Sequence, residues 1–287
     1  MRNRMPMLES ERRDRAKNQR MAVLVGLLAA GLAWWFFMGP GSVDLSFCDN
    51  PGVDTPQTVV LVDATDTWSS LRQMIVENQV LESLTPQRNI VVYPVEPGTN
   101  ESVRAEPIFL KCNPGNMDQL SRAAGFNPDS WLTNFIGNRE LVDRRYEEFK
   151  AEVSAAVIGV ALGDPRATSP IMETLRWGAV NANSGSDEPL EVVVISDMLQ
   201  NSPMMSFYTA GVELSDENAR QLADLSALGS RELQGAELDV YLLSADIPNG
   251  FSRQDVLEFW ELYLNYQGDG ARIPILGASI RSIHRVD

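Results

Sequence analysis

The residues best suited to chemistry stand in one run, Asp63-Ala64-Thr65-Asp66-Thr67-Trp68-Ser69, directly after the apolar segment TVVLV. A carboxylate and two hydroxyls at Asp63, Thr65 and Thr67 fall on alternate positions, so a loop there can turn several oxygens toward one point. Hard cations such as Mg²⁺ take oxygen ligands in near-octahedral geometry and keep part of their water shell. These three residues, with a second carboxylate from a neighbouring strand, would make an open cation site. Asp197, which ends the apolar run LEVVVIS, is that second carboxylate. The plainer alternative is that both aspartates cap local turns and the hydroxyls satisfy loop amides.

Other chemistries find less support. His284 is the sole histidine, which excludes a histidine-based triad or a multi-histidine zinc site. The run DATDT approaches the D-x-D-x-T loop of phosphate-transferring hydrolases, but its second carboxylate is one position late, and the chain has no glycine-rich phosphate loop. A metal-dependent hydrolase built on Asp63, Asp66 and Asp197 would need a general base that the sequence does not offer. The methionines of DMLQNSPMMSF would either line a partner groove or fill core.

The elements that must position these groups alternate. Apolar strands are expected at Thr58–Asp63, Asn89–Val95, PIFLKC, Leu190–Asp197 and Glu237–Leu243, with a last edge strand at Arg272–Leu276. Helices are expected over Trp68–Ser83, Asn116–Gly125, Leu141–Leu162, Pro170–Val180, Glu217–Leu228 and Arg253–Tyr266. Strands with apolar interiors alternating with helices predict an α/β fold: a three-layer, doubly wound, mostly parallel sheet. Ligands of such sheets sit beyond the C-terminal strand ends, where TVVLV and EVVVI each run into an aspartate.

With these residues in place the chain resembles the von Willebrand factor A-like family, whose metal-ion-dependent adhesion site has the pattern D-x-S/T-x-S after its first strand. Asp63, Thr65 and Thr67 match that pattern. The segment RATSPIMETLRW looks like the second element, with Ser169 the better match and Thr168 the alternative; Asp197 matches the third. The resemblance spans roughly residues 58–276. It departs from the pattern in having threonine at both hydroxyl positions, Met198 where the family usually has Gly, and an insertion at about 96–139. It implies a binding module without turnover, in which Mg²⁺, or Mn²⁺ or Ca²⁺, at Asp63, Thr65, Thr67, Ser169 and Asp197 accepts a carboxylate from a protein partner. A scaffold that kept the fold and lost the metal is the alternative.

The N-terminal part bears on location. Residues 21–38 carry no charge and are long enough to cross most of a bilayer core of about 30 Å. Arg2, Arg4, Arg12, Arg13, Arg15, Lys17 and Arg20 precede them, which predicts a cytoplasmic N-terminus and a single-pass inner-membrane protein with its domain periplasmic or extracellular. A cleaved signal peptide is the competing reading, disfavoured by the bulky WWFFM end of the run. The expected organisation is a basic tail (1–20), a transmembrane helix (21–38), a linker containing Cys48 (39–57) and the α/β domain (58–287). Cys48 and Cys112 both fall on the predicted outer side, where they would pair as a disulfide; two buried thiols are the alternative. The net charge of −15, with a basic tail, leaves an outer part that repels nucleic acid and admits divalent cations or basic protein partners.

Overall fold

A strand covered by helices on both faces must be apolar at almost every position, whereas an edge strand need not be. The computed structural model describes residues 55–63, 68–96, 106–123, 139–163, 167–182, 188–226, 233, 235–265 and 279–286, with residues 21, 26, 27 and 48. Along the chain these form β1 (Gln57–Val62), then α1 (Ser70–Ile75), a π-helical turn (Val76–Val80) and α2 (Leu81–Ser83) in unbroken succession. β2 (Asn89–Pro94), β3 (Phe109–Cys112), α3 (Met117–Ala123), α4 (Arg139–Ala161) and α5 (Ile171–Ala182) follow. The chain continues through β4 (Glu191–Ser196), α6 (Asp216–Ser226), β5 (Glu237–Leu243), α7 (Arg253–Leu264) and β6 (Ser279–Val286). It divides into two units, residues 1–44 with 118–136, and residues 45–117 with 137–287; the whole sheet belongs to the second.

The six strands lie in the order β3-β2-β1-β4-β5-β6, all parallel except β3, which runs antiparallel on β2. The chain builds outward from β1 through β2 to β3, then returns beside β1 as β4 and builds the other way. That reversal leaves a crevice at the C-terminal ends of β1 and β4.

Alternation along the strands divides the core into two layers. Val59, Leu61, Val91, Tyr93, Val192, Val194, Leu238 and Val240 meet α5, α6 and α7 on one face. Val60, Val62, Ile90, Val92, Val193, Ile195 and Tyr241 meet the π turn, α2 and α4 on the other. The described residues therefore form an α/β fold with a six-stranded, mostly parallel sheet, compatible with the expected three layers. At Gly178 an added Cβ would stand 3.1 Å from Val59 Cγ1, so glycine lets α5 lie close against β1. Ser69 caps α1 through the Arg72 amide, and Ser252 with Asp255 forms a capping box at α7.

A C-terminal edge strand that the sequence pattern does not mark is present. Arg272–Leu276 lies outside the described residues, and the described edge strand is β6, paired in parallel with β5. Its residues SIRSIHRV carry an apolar side chain only at every third position, Ile280, Ile283 and Val286, so no continuous apolar run and no period-two pattern marks it. A bulge between Leu238 and Asp239 lets both Arg281 and Ser282 reach the Asp239 carboxylate. Cys48 and Cys112 are joined as a disulfide with Cα atoms 5.4 Å apart, tying Cys48 to the end of β3. Among the described residues no helix is long and apolar enough to cross a membrane; the segment 21–38 lies outside them except for Met21, Gly26 and Leu27, which are helical.

Candidate functional site

Asp63 stands one residue beyond β1, and its amide donates to the Ile195 carbonyl at 2.9 Å, so the β1–β4 ladder fixes its backbone. Its side chain is buried in the crevice at the strand reversal, with the residue 1% exposed. One carboxylate oxygen, Oδ2, accepts two hydroxyl hydrogen bonds, from Ser169 Oγ at 2.7 Å and from Ser196 Oγ at 2.8 Å. Both serines are buried. An isolated carboxylate this deep would be strongly destabilising, and two donors on one oxygen offset part of its lost hydration.

Ser169 is held from both sides. Its backbone exchanges hydrogen bonds with Asn201 at 2.9 and 2.8 Å, an isolated antiparallel bridge between the loop before α5 and the loop after β4. Asn201 Nδ2 also donates to the Ala167 carbonyl, and Ser206 Oγ donates to Asn201 Oδ1, each at 2.8 Å. One residue earlier, fully buried Gln200 accepts from the Met172 amide in the first turn of α5 and donates to Glu173 and Ser202. The run DMLQNS is thus a polar brace that sets α5 and Ser169 against Asp63. The N-terminal end of α5 faces this region, and its partial positive charge favours the carboxylate.

Ser196 is aimed by the chain that follows it. Its Oγ accepts from the Met198 amide at 2.9 Å, which leaves the hydroxyl hydrogen for Asp63. Met198 adopts φ +63°, a left-handed conformation unusual for a residue with a Cβ, yet its side chain is completely buried. The Trp260 indole of α7 donates to the Met198 carbonyl at 2.8 Å and locks the turn. Asp197 is half-buried, and its Oδ1 accepts from the Leu199 amide at 2.8 Å, an Asx-type turn.

Of the residues singled out in the sequence, Asp63 and Ser169 are brought into direct contact, Thr168 lies beside Ser169, and Asp197 lies next to the serine that reaches Asp63. Thr65, Asp66 and Thr67 lie outside the described residues. Ser196 was missed, although a hydroxyl closing an otherwise apolar strand, EVVVIS, was the signal for it. Gln200 was missed too; nothing in its neighbours marks it as buried.

The Asp63 and Ser169 oxygens are as close as two ligands of one cation would be, a spacing that their own hydrogen bond already accounts for. Neighbouring ligands of an octahedral Mg²⁺ with bonds of 2.0–2.1 Å are about 2.9 Å apart, close to the 2.7 Å between Asp63 Oδ2 and Ser169 Oγ. Ser196 fits less well, because its oxygen already serves the Met198 amide. Among the described residues there is no cluster of three or more His, Cys, Asp or Glu able to hold a metal. In comparisons with known proteins, no protein-family model and no curated protein matches the chain.

Proposed function

We propose that this chain is a membrane-anchored, extracytoplasmic protein-interaction module of the von Willebrand factor A-like kind, working in an envelope-associated assembly. It docks a carboxylate of a protein partner at a divalent-cation site centred on Asp63. The observation that carries the reading is the convergence of Asp63 and Ser169 at the strand reversal, 2.7 Å apart and buried. Asp63 and Ser169 would hold the ion, with Thr65, Thr67 and Asp197 as the further ligands that the resemblance implies. The bound ion would supply a positive charge and an open coordination position for the partner's carboxylate. Asn201 and Gln200 hold the loops at fixed spacing, and Trp260 holds the turn that aims Ser196. The reading assigns binding without turnover. The uncharged run at 21–38 and the basic residues before it support the anchor and the orientation.

A metal-free scaffold of the same fold is the second reading. It is favoured by the Asp63 oxygen already accepting two hydroxyls and by Asp197 Oδ1 already capping Leu199. Calorimetric titration of Mg²⁺ and Mn²⁺ into the detergent-solubilised full chain, with Asp63→Ala as control, separates the two. Saturable binding that disappears in the variant supports the adhesion-type site. A folded wild-type chain that binds neither ion leaves the scaffold.

A further inference from the structure

At the opposite end of α5 from Asp63, about 18 Å along a helix of this length, a cavity of about 320 Å³ opens between that helix and the β1–β2–β3 side of the sheet. Ligand sites begin at about this size. Val91, Pro107 and Leu110 give it an apolar wall, while Tyr93, Gln57, Asn181 and Glu106 contribute the polar groups.

Those polar groups are unspent. Tyr93 is only 3% exposed, yet its phenol has no hydrogen-bond partner among the described residues. The hydroxyl is not one of the sealed-off polar atoms, so it is open to the cavity, where a ligand or water can serve it. The side-chain amides of Gln57 and Asn181 and the Glu106 carboxylate likewise have no hydrogen-bond or ion-pair partner among the described residues. Burial raises the Tyr93 pKa, which keeps the phenol neutral and able both to accept and to donate.

The electrostatics select the sign of the missing partner. Among the described residues that line the cavity Glu106 is the sole charged group, and none is a lysine or arginine. Asn181 lies in the last turn of α5, and that turn has no basic residue to offset the partial negative charge of the helix C-terminus. Carboxylate, helix end and acceptor oxygens all favour a cation, while the apolar wall favours an aliphatic stem leading to it. The chain's net charge of −15 adds long-range attraction for a basic partner.

From this geometry we infer that the cavity receives the side chain of a lysine or arginine presented by a partner polypeptide, its methylenes on Val91 and Leu110 and its cationic head toward Glu106 and the Tyr93 hydroxyl. This contact is separate from the Asp63 site and stands whichever reading of that site holds.

The test is an NMR titration of the detergent-solubilised full chain with Nα-acetyl-lysine methylamide and its arginine counterpart. Nα-acetyl-norleucine methylamide serves as the uncharged isostere and n-butylammonium as the free amine. The expected result is saturable binding of the two basic amides, at least fivefold weaker binding of the norleucine compound, and weaker binding of the free amine. Glu106→Gln, at an exposed position, should weaken the lysine compound about tenfold, the scale of one charge-assisted contact, and Tyr93→Phe should weaken it about threefold. Exposed Leu110, changed to alanine, provides a second probe should either variant misfold by near-UV circular dichroism. Absence of saturable binding, equal binding of the norleucine compound, or indifference to Glu106→Gln overturns the proposal. Tighter binding of n-butylammonium than of the amides overturns the polypeptide source and leaves a site for free amines.

Discussion

Met198 tests the account of the turn beside Asp63 most directly, because two opposed effects act on one residue. Its φ of +63° carries the penalty of a left-handed conformation, about 1–2 kcal/mol for a residue with a Cβ. Its fully buried side chain contributes to the core under α7 and the helix-facing side of β4. Met198→Ala keeps the penalty and removes the packing, so it should destabilise the fold by about 2–4 kcal/mol, within the range for such truncations. Met198→Gly removes the same packing but relieves the strain, less about 0.5–1 kcal/mol for the greater freedom of an unfolded glycine. The glycine variant should therefore be more stable than the alanine variant by about 0.5–1 kcal/mol, the reverse of their order at an ordinary position. Equilibrium urea unfolding followed by tryptophan fluorescence reads this difference. At a slope of about 3 kcal/mol per M the midpoints should differ by roughly 0.2–0.3 M, with wild type above both. An alanine variant as stable as or more stable than the glycine variant would refute the claim that the turn is strained. A glycine variant more stable than wild type would refute the claim that the buried side chain outweighs that strain.

Two further outcomes follow from the β5–β6 edge and the disulfide. At Asp239, burial works to raise the pKa, but hydrogen bonds from Arg281 and Ser282 and the nearby positive charges outweigh it and hold the carboxyl below its usual range. A depressed carboxylate stabilises the fold above its unfolded pKa of about 3.9 and loses that contribution as pH falls through the folded value. Asp239→Asn should therefore cost about 2 kcal/mol near pH 6, the scale of hydrogen bonds to a charged group. Urea titrations should show that deficit shrinking below about pH 4; a pH-independent deficit would contradict the linkage. The Cys48–Cys112 bridge closes a separation of 64 residues, worth about 4 kcal/mol by chain entropy. Cys112→Ser should lower the urea midpoint in oxidising buffer and converge with wild type once reductant is added, whereas equal midpoints in both buffers would mean the bridge contributes nothing.

Much of the architecture was legible from local pattern alone. Runs such as TVVLV, NIVVYP and EVVVIS have no polar face, so they fit only strands covered on both sides, and helices of 3.6-residue period between them require parallel crossovers. Asp63 and Asp197 were visible because each ends such a run, and ligands of these sheets gather there. β6 was not visible, because an edge strand with a half-open face has no need of a continuous apolar run. Nor could the sequence say which oxygens meet. Ser196 reaches Asp63 because β4 lies directly beside β1, although the two residues are 133 positions apart. Ser169 arrives through a bridge to Asn201, and the turn at Met198 takes its shape from a distant tryptophan on α7. Residue type and spacing determined the strands, the layers and the two carboxylates, because burial acts on each segment locally. The partners of those carboxylates, the strain at Met198 and the place of Tyr93 on the cavity wall were decided by the tertiary structure, because neighbours are chosen by proximity across the sheet and leave no periodic signal along the chain.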